Sequence, residues 1–202
     1  KSIPLVDDPL PLLIERVRLI KAAQGLEASA RALQELAQQY PGDAEVLAML
    51  AETQFEQGQI DAGLQTARQA LQGSKGSLEP HMEALLHYLL GSQLRRAGQL
   101  DQAVHHLSEA LQLDPDRFEA YMELGQTQRD RRQLAQALQV YQQAIDLFPY
   151  DPRPYHQAGV TLKEMKDYLA AESMLRRAAD LAPDDVTIHR LLGAVVALNL
   201  VH

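Results

Sequence analysis

The chain has no cysteine and few β-branched residues. The absence of cysteine among its 202 residues excludes disulfides, thiolate zinc sites, iron–sulfur clusters and cysteine nucleophiles. There are only 10 valines, 6 isoleucines and 5 threonines, against 34 leucines, 28 alanines and 22 glutamines. Because β-branched residues favour strands and straight-chain residues favour helices, this composition argues against a β-rich fold.

An excess of positive charge and long apolar runs are also missing. The formal net charge is −8, which argues against nucleic acid or an anionic membrane as partner, since both need a dominant basic field. No segment approaches the roughly 20 apolar residues that cross a bilayer. Pro4, Asp7 and Asp8 make a poor signal peptide, so a cytoplasmic location is favoured. The first residue is Lys1, which indicates a processed protein or a piece excised from a longer one.

What the sequence does have is an internal repeat with a period of about 34 residues. Four ladders of glycine, proline or alanine share this period, and they are Gly91, Gly125, Gly159 and Gly193; Pro115, Pro149 and Pro183; Ala103, Ala137 and Ala171; and Ala110, Ala144 and Ala178. Glycine and alanine let paired helices approach closely, and proline ends one helix before the next begins. Ladders in one register therefore indicate a stack of similar helix pairs.

The repeat resembles the tetratricopeptide repeat, a helix–turn–helix module of this length. The residues that carry the resemblance best are Tyr121, Leu124 and Gly125 in a first helix and Ala137, Tyr141, Ala144 and Pro149 in a second. The resemblance covers residues 10–202. It implies an all-α fold, a right-handed α-solenoid of antiparallel helix pairs with about five units and a C-terminal helix.

The period divides the chain into an N-terminal extension, 1–9, and a single solenoid domain, 10–202. The predicted repeats span 10–43, 44–77, 84–117, 118–151 and 152–185, followed by a terminal helix over 186–202. One step, from Leu50 to Leu90, is longer than the others by six positions. This excess predicts an inserted loop over 73–79 and about one added turn near Pro80.

The pattern predicts eleven helices. They span 10–24, 27–40, 43–57, 60–73, 79–97, 100–113, 117–131, 134–147, 151–164, 168–181 and 185–200. By the resemblance, the first helix of each pair lines a concave face that binds extended or helical peptide segments.

First-helix positions that core packing does not use are the candidate binding residues. They are Tyr88, Ser92, Arg95, Arg96, Met122, Gln126, Arg129, Arg153, His156, Gln157, Lys163 and Arg190. Across residues 84–194 this face carries six Arg or Lys against four acids, which favours an acidic segment of a partner protein. The alternative is that these are ordinary solvated charges, partly paired along each helix.

No catalytic, cofactor or metal site is predicted. His105 and His106 are adjacent, so on a helix they point about 100° apart and cannot chelate one ion. The segment 73–77 lacks the spacing of a phosphate-binding loop. His87 and His189 occupy packing positions of the repeat and are expected to be partly buried.

These features predict a non-catalytic scaffold or adaptor that binds a protein segment and supports assembly of a multiprotein complex. The alternative is a regulatory or substrate-recruiting arm of a larger enzyme or signalling protein. The terminal helix is apolar nearly all round from Ala194 to Val201, whereas a terminal solenoid helix needs a polar outer face. Either a longer chain covers it, or a second copy does so in a homo-dimer.

Overall fold

A computed structural model describes residues 9–74 and 78–200, apart from the side chain of Ser74. Within these ranges the secondary structure is all helical, and the helices are α1 (Leu10–Gln24), α2 (Leu26–Gln39), α3 (Ala44–Glu56), α4 (Ile60–Ser74), α5 (Pro80–Arg96), α6 (Leu100–Leu113), α7 (Phe118–Asp130), α8 (Leu134–Leu147), α9 (Pro152–Glu164), α10 (Tyr168–Leu181) and α11 (Val186–Asn199). The eleven predicted helices are confirmed, with every end within one residue of its predicted position. We call α1, α3, α5, α7, α9 and α11 the first helices and the others the second helices.

The helix that follows the inserted loop has the extra turn that the sequence predicts. α5 has 17 residues, whereas α7 and α9 have 13 each. Four residues are about one helical turn, and they lie at the start of α5. Residues 75–77 of the predicted loop, like residues 1–8 of the predicted N-terminal extension, lie outside the described residues.

Helix starts and turns follow local chemistry. The Asp43, Asp151 and Asp185 side chains accept hydrogen bonds from backbone N–H groups at the starts of α3, α9 and α11, as N-cap residues do. Arg132 and Lys166 have φ of 63° and 65° in the turns after α7 and α9, a left-handed conformation that costs energy outside glycine.

The chain clusters into two compact units, Lys1–Gln93 and Leu94–His202. In the first, a cluster around Val17, Leu33 and Val46 joins α1, α2 and α3. In the second, a cluster around Tyr141, Tyr155 and Ile188 joins α8, α9 and α11. Stability therefore comes from contacts between successive helices, as in repeat proteins generally.

The repeated glycine has a packing role wherever a second helix follows it. A Cβ on Gly125 would lie 2.3 Å from the Tyr141 ring, and one on Gly159 would lie 2.6 Å from Leu175. Gly193 holds the same repeat position in α11, yet nothing described lies within 4 Å of its Cβ position. This face of α11 is therefore open in the described structure.

The same open face explains a wrong prediction. His87 is half-buried, as expected, but His189 is exposed. Its Nε2 lies 2.8 Å from the Pro183 carbonyl oxygen. Because no second helix follows α11 within the described residues, the histidine is not covered.

No described helix is both long and apolar enough to span a membrane.

Candidate protein-binding surface

All twelve candidate residues lie on first helices, distributed over α5, α7, α9 and α11. Tyr88 and Ser92 belong to the first unit, and the other ten belong to the second. Ser92 is buried, with only 5% of its surface exposed, so it offers little to a partner. We call the exposed and half-buried first-helix residues of the second unit, from Arg95 to Arg190, the first-helix face.

Arg95 on α5 is tied to the next first helix. Its Nε donates to the Glu123 carboxylate at 2.7 Å, and its Nη1 donates to Asp130 at 3.2 Å. Burial lowers the pKa of Arg95, but its bonds to Glu123 and Asp130 and their charges outweigh this effect, so the net shift is upward. Asp130 also accepts a hydrogen bond from Gln126 at 2.9 Å, so a second candidate residue belongs to this network.

Arg129 on α7 makes the equivalent connection one repeat later. Its Nη1 donates to Gln157 Oε1 at 2.8 Å, and its Nε lies 3.3 Å from Glu164. Only 17% of the Arg129 side chain is exposed. Arg95 and Arg129 therefore join neighbouring repeats in addition to facing solvent.

These contacts share one register, which we call the inter-repeat ladder. Its cation–acid pairs are Lys21–Glu56 at 2.8 Å in the first unit and Arg95–Asp130 at 3.2 Å and Arg129–Glu164 at 3.3 Å in the second. In every pair the acid lies on the next first helix, 35 residues after the cation. We call this separation the ladder spacing. Partly exposed pairs of this kind stabilise modestly, by up to about 1 kcal/mol.

Arg153 is held by the N-cap residue of its own helix and by a ring at the start of the preceding first helix. Its guanidinium donates to Asp151 at 2.6 Å and lies 4.1 Å from the centroid of the Phe118 ring. The hydrogen bond to Asp151 raises the pKa of Arg153, and Glu119 adds to this through its charge. Arg153 remains exposed, although Asp151 and Phe118 fix the orientation of its guanidinium.

The ion pairs change the charge balance that the sequence count implies. Glu123 and Asp130 pair with Arg95, Glu164 pairs with Arg129, and the charge of Glu119 acts on Arg153. Arg96, Lys163 and Arg190 make no ion pair with any described residue. The positive charge available to a partner is thus concentrated on these three cations.

The less polar candidates are partly buried. Met122 packs against the cluster around Tyr141, and Tyr88 is half-buried in the first unit. Burial lowers the pKa of the half-buried His156; the charge of Asp185 opposes this effect, and that of Arg129 adds to it. His156 is therefore a neutral ring near neutral pH that presents both apolar surface and hydrogen-bonding nitrogens.

Sequence reasoning missed a recess in the first unit. It has a volume of about 320 Å³. Its apolar lining includes Val17, Leu33, Met49 and Met82, and its polar rim includes Lys21. The lining comes from four helices, so no single pattern in the sequence reveals it. One sequence feature could have indicated the recess: Met49 on α3 and Met82 on α5 both line it, and methionine suits adaptable apolar sites.

Comparisons with known proteins agree with the helical architecture. One family model of the tetratricopeptide repeat matches residues 18–77 and 88–152, and another matches residues 152–185. No curated protein sequence matches the chain significantly.

Several solved structures have a similar fold. YrrB, reported as a tetratricopeptide-repeat protein with an unusual peptide-binding site, is 20% identical over 91% of each chain, with a TM-score of 0.77. MamA of Desulfovibrio magneticus is 19% identical over 89% of this chain and 98% of that one, with a TM-score of 0.76. The Cut9–Hcn1 structure of the APC/C is 16% identical over 92% of this chain and 36% of that one, with a TM-score of 0.72.

Proposed function

The chain belongs to the tetratricopeptide-repeat family, and we propose that it is a non-catalytic scaffold or adaptor whose first-helix face binds a segment of a partner protein. Binding of that segment would support assembly of a multiprotein complex. Members of this family are interaction modules, and the fold is that of proteins such as YrrB, for which a peptide-binding site is reported.

The observation that carries the proposal is the set of cations without an acid. Arg96 and Arg190 are exposed, Lys163 is half-buried, and none forms an ion pair with a described residue. On an acidic protein of net charge −8, three such cations on the first helices favour a partner segment that carries carboxylates.

Affinity capture from the native host, with identification by mass spectrometry, tests this function. The informative variant reverses the three unpaired cations (Arg96→Glu, Lys163→Glu, Arg190→Glu). A matched control reverses three exposed cations elsewhere (Arg68→Glu, Lys166→Glu, Arg177→Glu). We expect the first variant to lose a partner that the wild type and the control retain. Equal capture by all three proteins would contradict the proposal.

The alternative function is a regulatory or substrate-recruiting arm of a larger enzyme or signalling protein. The Cut9–Hcn1 match covers only 36% of that chain, so this fold also occurs as part of longer proteins. The length of the full gene product separates the two functions, because an arm requires a further region of the same polypeptide.

We also propose that two copies pair through the open face of α11. Val186 and Leu200 are 77% and 83% exposed, and each lies seven residues from Gly193. Antiparallel pairing would place Val186 of one copy against Leu200 of the other, with the two glycines at the crossing, where a missing Cβ allows close approach. Such an isologous contact closes as a dimer.

Light scattering on the purified protein tests this pairing. We expect the wild type to dimerise with increasing concentration and Leu200→Asp to stay monomeric. Leu169→Asp, which changes an exposed leucine on α10, should dimerise like the wild type. A wild-type monomer at all concentrations would contradict the pairing.

A further inference from the structure

The inter-repeat ladder has a cation at its last position but no acid to pair with it. Lys163 lies one repeat after Arg129 and holds the same position on α9. Arg129 is paired with Glu164 at the ladder spacing. The residue at the same spacing from Lys163 is Leu198, on α11. At the position that supplies a carboxylate to the other ladder cations, the next first helix therefore has an alkyl side chain.

No described group takes the place of that carboxylate. Arg95 also pairs with Glu123, which lies 28 residues after it. The residue 28 positions after Lys163 is Leu191. The adjacent Glu164 is directed to Arg129 at 3.3 Å and to Arg132 at 3.9 Å. Lys163 is half-buried and forms no ion pair among the described residues.

A second cation, Arg190, lies on α11 next to Leu191 in the chain. Arg190 lies 27 residues after Lys163, just as His156 lies 27 residues after Arg129. The charge of Arg129 acts on His156, so from the repeat register we infer that Arg190 lies in the neighbourhood of Lys163. α11 itself contains no acid, and the carboxylate of Asp185, the residue before it, caps the helix by accepting from the Thr187 and Ile188 N–H groups.

We propose that Lys163 and Arg190 form a carboxylate-binding site for an aspartate or glutamate side chain of a partner segment. That side chain supplies the acid which α11 lacks. Because a guanidinium and an ammonium bind carboxylates through charge-assisted hydrogen bonds, the pair suits an anion of this size. This inference rests on the proposed function and names the partner chemistry at one end of the first-helix face.

The surroundings define the neighbouring residues of the bound segment. Val160 and Leu191 are half-buried, and Leu198 is 37% exposed. An acid flanked by apolar residues therefore fits better than a continuous acidic run, because apolar neighbours would bury surface on these side chains. Binding should weaken with salt, since partly exposed charges are screened.

An NMR titration of the full chain with a defined peptide tests the site. The probe is the amidated peptide Gly-Ser-Glu-Leu-Asp-Leu-Gly-Ser, and its neutral counterpart replaces Glu and Asp by Gln and Asn. We expect saturable shifts around Lys163 and Arg190 with the acidic peptide, and affinity at least about tenfold lower for the neutral peptide, as loss of one charged contact predicts. No saturable binding of the acidic peptide, or equal binding of both, would overturn the proposal.

Variants locate the binding. Lys163→Gln with Arg190→Gln should lower affinity for the acidic peptide at least about tenfold, whereas Arg68→Gln with Arg177→Gln should not change it. Unchanged affinity in the first pair would overturn the proposal.

A further variant supplies the missing acid within the chain itself. Leu198→Glu should complete the ladder, weaken binding of the acidic peptide relative to Leu198→Gln, and unfold at or above the temperature of that control. Equal peptide binding by the two variants would overturn the proposal. If the peptide fails but a host partner is still captured through the three unpaired cations, the carboxylate site is wrong and the scaffold function stands.

Discussion

The Tyr141 ring occupies the space where a side chain on Gly125 would lie. A Cβ at Gly125 would come within 2.3 Å of the ring, which is itself fully buried. Burial also raises the pKa of the Tyr141 hydroxyl well above its usual range. α7 and α8 therefore depend on this glycine for their close packing, in the same way that α9 and α10 depend on Gly159.

Replacing the glycine by alanine should have opposite effects at two equivalent positions. Gly125→Ala forces a methyl group into the Tyr141 ring and should lower the free energy of unfolding by about 1–3 kcal/mol. Gly193→Ala meets nothing within 4 Å in the single chain and should raise the free energy of unfolding of the monomer by up to about 1 kcal/mol, because alanine is the better helix former. Urea denaturation measures both, and equal effects at the two positions would contradict this account of the packing.

A double-mutant cycle on Arg95 and Glu123 should detect the inter-repeat ladder. Their side chains are 22% and 20% exposed and bond at 2.7 Å. We expect Arg95→Gln and Glu123→Gln to show a coupling of about 0.5–1 kcal/mol that falls at high salt. Zero coupling at low salt would mean that this pair does not join the repeats.

The ladder also determines which charge reversals are useful for binding studies. Arg95→Glu would place a carboxylate beside Glu123 and Asp130, and Arg129→Glu would place one beside Glu164. Like charges at these distances repel, so these substitutions should lower stability before any partner is added. Lys163 and Arg190 are free of this complication, which is why the binding experiments use them.

The half-buried His156 should make stability depend on pH. Burial lowers its pKa from the ordinary 6.5, against the charge of Asp185. The unfolded chain then binds the proton more readily than the folded one, so stability is full above about pH 6.5 and falls as the pH drops through the folded-state pKa. Thermal unfolding from pH 8 to pH 5 should show a smaller decrease for His156→Gln. An identical pH profile would contradict this role.

The N-cap of α11 should contribute measurably to stability. Asp185 accepts hydrogen bonds from the Thr187 and Ile188 N–H groups at 2.8 and 3.2 Å. Asp185→Ala should lower the free energy of unfolding by about 1 kcal/mol. Asp184→Ala, an adjacent exposed acid, should have little effect. Chemical denaturation compares the two, and equal losses would show that the cap is not the cause.

The helices were predictable because every repeat carries the same local signals. Pro149 and Pro183 end helix pairs in one register, and Gly125 and Gly159 mark where paired helices touch. Small residues at fixed spacing leave few alternatives for where a helix begins and ends, so even the extra turn of α5 follows from the single longer step between repeats.

The surface was less predictable, since it depends on which side chains meet across repeats. The sequence places Arg95 and Lys163 at equivalent positions, but only the structure separates a cation paired with Glu123 from one without an acid. His189 was wrongly expected to be covered, because its repeat position implies a following helix that does not pack there. The recess beside Met49 needs four helices to form, which no local pattern encodes.

Site-specific photocrosslinking in the native host tests the central claim most directly. A photoreactive amino acid is placed at Glu119 or Thr187, exposed positions on first helices, and at Gln102 or Gln142, exposed positions on second helices. The account predicts that the first two positions crosslink to the captured partner and that the last two do not. Crosslinks of equal yield from second-helix positions, or from those alone, would contradict binding on the first-helix face.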